Sequence, residues 1–82
     1  MINILIVDDH AIVRDGLKRI ISDSIGMEVI AEAENGQIAL DIIYENSSIN
    51  FVVLDISMPG LSGLDVLKKI KKEFYFPLKI ME

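Results

Sequence analysis

Three carboxylates stand where chemistry is possible: Asp8, Asp9 and Asp55. Each follows an apolar run. Ile2-Asn3-Ile4-Leu5-Ile6-Val7 leads into Asp8-Asp9, and Phe51-Val52-Val53-Leu54 leads into Asp55, after which Pro59-Gly60 breaks the backbone into a loop. Runs of this kind read as buried strands, here delivering charges to their C-terminal tips. A charge at the end of a core strand is costly to bury, so these side chains should face a polar cleft or a cation. Mg2+ takes near-octahedral oxygen coordination from one or two carboxylates, with water or phosphate completing the shell. Asp9 and Asp55 suit direct ligation and Asp8 ligation through water. The first loop carbonyl, that of Ser57, suits a backbone ligand. Clustered carboxylates repel one another until a divalent ion neutralises them. A carboxylate can also attack phosphorus to give an aspartyl phosphate, with a metal offsetting charge on the transferring oxygens.

Plainer readings stand beside this one. An Asp between a strand and a helix is an ordinary N-cap, and Asp55 can be a turn-former. His10 reads as a partly exposed loop residue rather than a ligand, and Phe51 and Met58 as packing residues. Spacing alone leaves these alternatives open.

The elements that must position the aspartates follow from periodicity. Strand one spans about Ile2–Val7 and is nearly all apolar, as for a central strand covered on both faces. Val13, Leu17, Ile20 and Ile21 then fall on one helical stripe, with Arg14, Lys18 and Arg19 off it. Gly16 inside that helix permits either close backbone packing or simple tolerance, and Ser22-Asp23-Ser24 with Gly26 ends it. Glu28–Ala33 reads as a short second strand. Asn35 reads as the N-cap of a second helix carrying Ile38, Ala39, Ile42 and Ile43 on one face. A polar loop from Glu45 to Asn50 enters the third strand. Ser62-Gly63-Leu64-Asp65 has capping-box spacing, opening a third helix with Leu64, Val66, Leu67 and Ile70 as its apolar residues. Pro77 interrupts before a fourth strand starting at Leu78. The alternation predicts a doubly wound parallel α/β sheet with helices on both faces and a ligand crevice at the strands' carboxyl ends.

The bulk composition agrees with one small domain. The chain has 82 residues, 51% hydrophobic and 26% charged, which is globular rather than disordered. No apolar run approaches the roughly 20 residues of a membrane span, and no leader pattern follows Met1. With no cysteine there is neither a disulfide nor a thiolate metal site, which fits a cytoplasmic protein. The net charge of −5 is uneven: residues 1–55 carry three basic and ten acidic side chains, residues 56–82 five and three. An acidic domain lacks the electrostatic footprint for a phosphate backbone. Lys68-Lys69-Ile70-Lys71-Lys72 reads as helix-dipole compensation rather than a nucleic-acid patch. A phosphohydrolase would need an acid/base group near Asp55 that is not evident, and no glycine-rich phosphate loop follows strand one. No enzyme is expected.

Ile4-Leu5-Ile6-Val7-Asp8-Asp9-His10, Val13-Arg14-Asp15-Gly16-Leu17 and Asp55-Ile56-Ser57-Met58-Pro59-Gly60-Leu61-Ser62-Gly63 together resemble a bacterial two-component response-regulator receiver domain of the NarL/FixJ type. The resemblance covers essentially the whole chain. It implies a flavodoxin-like fold with strand order 2-1-3-4-5. It implies Asp55 as phosphoacceptor, supplied by a sensor histidine kinase or a small phosphodonor, and a Mg2+ site of Asp8, Asp9, Asp55 and the Ser57 carbonyl. A transcriptional output domain normally lies elsewhere in such proteins. The family's switch Ser/Thr and its Lys follow strands four and five and have no counterpart here, Lys79 lying within strand four. On this reading residues 1–82 are an incomplete receiver of about four strands and three helices, without a DNA-binding domain. Its fourth strand would be an open edge and part of one sheet face uncovered, predicting self-association. Two functions follow: a Mg2+-dependent phosphoacceptor, or a phosphorylation-incompetent module that binds itself or other receivers.

Overall fold

The structure, a computed structural model, describes residues 1–55, 65, 68, 69 and 79–81. Strand β1 (Ile2–Val7) lies at the centre of a parallel sheet with β2 (Met27–Ala33) on one side and β3 (Phe51–Leu54) on the other. Strand β4 (Lys79–Met81) pairs with the far side of β3, giving the order β2-β1-β3-β4. Helices α1 (Ala11–Ser22) and α2 (Gly36–Glu45) connect the first three strands. Asp65, Lys68 and Lys69 are helical and exposed, where the third helix is expected, but Ser62, Gly63 and Leu64 of its capping box and its apolar residues fall outside the described residues.

The period-two alternation of β1 divides the core into two layers. Leu5 and Val7 point to one face, where Ala39, Leu40 and Ile43 of α2 bury them together with Val52, Leu54, Ile49 and Ala33. Ile4 and Ile6 point to the other, against Ile21 and Leu17 of α1 and the half-buried Met27, Val29, Phe51 and Val53. A strand flanked by both layers must be apolar where both cover it, which explains the run Ile4–Val7. Each such Leu or Ile contributes about 1.5–3 kcal/mol by leaving water. Register against β2 slips between Ile4 and Leu5, which pair with Val29 and Ala31, so Ile30 is the extra residue of a bulge.

Both helices are rotated from the faces their periodicity suggests. In α1 only Leu17 and Ile21 of the expected stripe meet the sheet, while Val13 and Ile20 are exposed and Arg14 and Lys18 are half-buried. A single helix laid on a sheet needs only an i, i+4 seam, so the flanking apolar positions stay outside it. In α2 the buried set is Gly36, Ala39, Leu40 and Ile43, with Ile38 on the rim. Gly16 has no neighbour where a Cβ would stand, so it serves no close backbone approach. Gly26 takes φ +87°, a left-handed turn residue, and its carbonyl accepts from the Ile2 amide at 2.7 Å.

Local signals close the ends. Asn35 is the N-cap of α2, its side-chain oxygen accepting from the Ile38 amide at 2.9 Å. At the amino end of the sheet the Asn3 amide donates to the Asn50 side-chain oxygen at 2.7 Å, and the Asn3 side chain donates to the Ser48 carbonyl at 3.0 Å. Ile49 between them is buried, so this loop enters β3 anchored rather than loose.

Urea unfolding of three variants should rank accordingly. Leu40→Ala should cost about 2–5 kcal/mol, Asn35→Ala about 1 kcal/mol, and the exposed Ile12→Ala almost nothing. Equal losses for Leu40→Ala and Ile12→Ala would contradict the packing described.

Candidate metal centre

The sheet brings the three predicted carboxylates together at one end. Two backbone bonds extend the ladder past the last strand residues: Asp8 N–H donates to the Ala33 carbonyl at 3.1 Å, and Asp55 N–H donates to the Val7 carbonyl at 2.9 Å. Asp8 is thereby tied to β2, and Asp55 is set beside the tip of β1. This is the crevice between β1 and β3, where the strand order reverses.

Asp8, Asp9, His10 and Asp55 each offer one ligand atom, and the four atoms lie within 4.8 Å of one another. Mg–O bonds of about 2.1 Å place opposite ligands about 4.2 Å apart, so the cluster needs little contraction to close on such an ion. The side chains of Asp8, Asp9 and Asp55 are 12%, 29% and 20% exposed, half-sheltered yet open to solvent on one side. Three carboxylates so placed are a hard donor set that leaves room for water or phosphate oxygens, and they fit Mg2+. Ser57, whose carbonyl was expected as a further ligand, lies outside the described residues.

His10 is the cluster's hydrogen-bonding partner. Its Nδ1 lies 2.9 Å from Asp8 Oδ1, 2.8 Å from Asp9 Oδ1 and 4.0 Å from Asp55 Oδ2. Carboxylates only accept, so Nδ1 carries the hydrogen and donates it to Asp8. One N–H serves one oxygen, which leaves Asp9 as a charge contact. The bond to Asp8, then the charge of Asp9, raise the imidazole above its ordinary value, against a smaller opposing effect of desolvation. Asp8 Oδ1 also accepts from the His10 amide at 2.8 Å, closing a turn over the strand tip. The N-cap position itself is His10, which makes no side-chain cap bond, so neither aspartate caps α1 directly. His10 is exposed, as its place in the sequence suggests, yet its ring joins the cluster.

Arg14 secures the loop behind the cluster. Its Nη1 donates to the Asp8 carbonyl at 2.6 Å and its Nε to Glu32 Oε1 at 3.0 Å. Lys18 Nζ reaches the other Glu32 oxygen at 2.8 Å and Asp15 at 3.3 Å. Two successive i, i+4 cations on α1 therefore clamp one carboxylate on β2. Periodicity places both on the polar side of the helix but does not reveal Glu32 as their partner.

The family description "Response regulator receiver domain" matches residues 4–81. The response regulator UvrY of Escherichia coli (strain K12) is 43% identical over 72 residues, covering 88% of this chain and 33% of UvrY. The transcriptional regulatory protein YdfI of Bacillus subtilis (strain 168) is 40% identical over 81 residues, covering 99% of this chain and 38% of YdfI. The chain thus spans about a third of the length of these relatives. The response regulator TrrA, solved in complex with the histidine kinase ThkA, superposes with a TM-score of 0.83 at 40% identity, covering 98% of this chain and 66% of TrrA. TrrA of Thermotoga maritima solved in complex with Mg(2+)-BeF gives 0.81, covering 90% and 62%.

The Glu32 clamp has a testable pH signature. Lys18 first and Arg14 second hold its carboxyl below the ordinary glutamate value of 4.5. A depressed carboxyl adds stability that is fully present above that value and is lost as pH falls through the lower folded-state value. Because Glu32 is more than a third exposed, the contribution is modest. Thermal melts should show Glu32→Gln flattening the acid limb below pH 4.5. Superimposable acid limbs for parent and variant would contradict the clamp.

Proposed function

The chain belongs to the response-regulator receiver family, and on that premise we propose that residues 1–82 act as the Mg2+-dependent phosphoacceptor module of a two-component relay. The observation that carries the reading is the convergence of Asp8, Asp9 and Asp55 at the carboxyl ends of β1 and β3. Asp55 is the nucleophile, Asp9 and Asp55 are direct metal ligands, and Asp8 acts through water, with the Ser57 carbonyl as a further ligand. Mg2+, when bound, supplies positive charge against the phosphoryl oxygens. An Asp55 oxygen forms the new bond to phosphorus as the donor's bond to phosphorus breaks, the electron pair leaving with the donor. Asp8 shapes the loop through the His10 amide, and Arg14 holds the Asp8 carbonyl, so the attacking and binding carboxylates keep their spacing. The product is a phosphoprotein, not a released compound, so the module is an acceptor rather than an enzyme.

The donor is a sensor histidine kinase or a small phosphodonor. The first is supported by TrrA, solved with its kinase, and by the surface beside the cluster. Ile12 is 87% exposed and Val13 45% at the start of α1, directly after His10. An apolar patch next to the acceptor suits a protein donor that must hold its phosphohistidine against Asp55. A second copy of this chain, the other partner expected from the sequence, would meet the open strand edge or uncovered sheet face rather than this patch. The patch's place beside the acceptor favours the kinase. The output is control of transcription, supported by the name of YdfI, and the setting is the cytoplasm, supported by a composition without cysteine. Among the described residues no helix is long and apolar enough to cross a membrane.

Incubation with radiolabelled acetyl phosphate should label the chain only with Mg2+ present. Asp55→Asn should abolish labelling and Asp9→Asn should reduce it severely. No labelling at saturating Mg2+ would overturn the phosphoacceptor reading and favour a module that only binds partners.

A further inference from the structure

The His10 side chain occupies the place where a cation is needed. Its Nδ1 touches both aspartates of the β1 tip, at 2.9 and 2.8 Å, and faces Asp55 at 4.0 Å. We infer that the His10 imidazole is an internal occupant of the acidic cluster, which a divalent cation must displace before it engages Asp8 and Asp9. The inference rests on reading the cluster as the metal site and concerns what controls access to it.

The geometry makes the two states exclusive. An ion held by Asp9 directly at about 2.1 Å, and by Asp8 through water, would crowd an N–H that lies 2.8 and 2.9 Å from the same two oxygens. Retaining the ring as a ligand would require stripping that hydrogen and turning the ring's lone pair inward. Mg2+ gains little by that exchange, because it favours oxygen over imidazole. Moving the ring away is easier. The His10 side chain is 65% exposed, so a rotation into solvent clears the cluster without disturbing the core. The turn survives the rotation, because the His10 amide keeps its own bond to Asp8 Oδ1 at 2.8 Å. His10 thus places an N–H donor among the three carboxylates and withdraws when a divalent cation takes its place. The chain's affinity for Mg2+ is set partly by a residue that does not bind it.

Calorimetric Mg2+ titrations of the parent chain, His10→Ala and His10→Asn test this, with circular dichroism confirming that each is folded. Removing the occupant should tighten Mg2+ binding by about two- to fivefold, the range expected for loss of one exposed hydrogen bond. His10→Asn carries an amide N–H near the position of Nδ1 and should return the affinity toward the parent's. In parallel, NMR signals of the His10 ring in the parent should move to solvent-like values as Mg2+ is added. Unchanged or weaker binding by His10→Ala, with the parent binding normally, overturns the occupant role alone. Absence of Mg2+ binding by parent and variants alike overturns the metal reading, and this inference with it.

Discussion

Like charges have to be held together in this domain, and everything else in the described structure serves that constraint. Two carboxylates about 4 Å apart repel by roughly 1 kcal/mol in water and about 4 kcal/mol at the effective dielectric of a protein surface. The ion pairs nearby are largely exposed and individually return less than that. What keeps Asp8, Asp9 and Asp55 adjacent is therefore the sheet beneath them. The Asp55 amide is locked to the Val7 carbonyl, and the Asp8 amide to the Ala33 carbonyl. Two apolar layers fix the strands that carry those groups.

The charged side chains refine what the core imposes. His10 stands among the carboxylates and relieves part of their repulsion. Arg14 does not enter the cluster; it ties the Asp8 carbonyl to Glu32 across the β1–β2 edge, so the loop cannot drift from the strand. The cluster is thus rigid at its base and adjustable at its mouth, where the exposed His10 ring sits. That division suits the proposed function, in which the centre would hold its own ligands in place and still admit a cation and a phosphoryl donor.

Much of this was legible in the sequence, for reasons tied to particular residues. Strands β1 and β3 were readable because a strand covered on both faces is a nearly unbroken apolar run, here ending in charge. Asn35 was readable as a cap because its side chain acts within three residues of itself. The convergence of Asp8, Asp9 and Asp55 followed from parallel strands ending alike. The faces of α1 and α2 were less legible. Val13 and Ile20 share a helical stripe with Leu17 and Ile21, but the sheet takes only the last two. The Arg14–Glu32 contact spans 18 positions and depends on how α1 docks on β2, which no local pattern carries. The His10 ring was hidden for another reason: adjacency to two aspartates does not say which way a side-chain torsion will turn.

The central claim is that one cation-binding centre lies at the carboxyl ends of β1 and β3. Paramagnetic Mn2+, standing in for Mg2+ and added in small amounts to the isotopically labelled chain, tests it most directly by NMR line broadening. The account predicts selective loss of the amide signals of Asp8, Asp9, His10 and Asp55, with Gly26 and Asn50 at the opposite end of the sheet unaffected. Broadening spread evenly over the acidic surface, or centred on Glu32 and Asp15 with the strand tips spared, would contradict it.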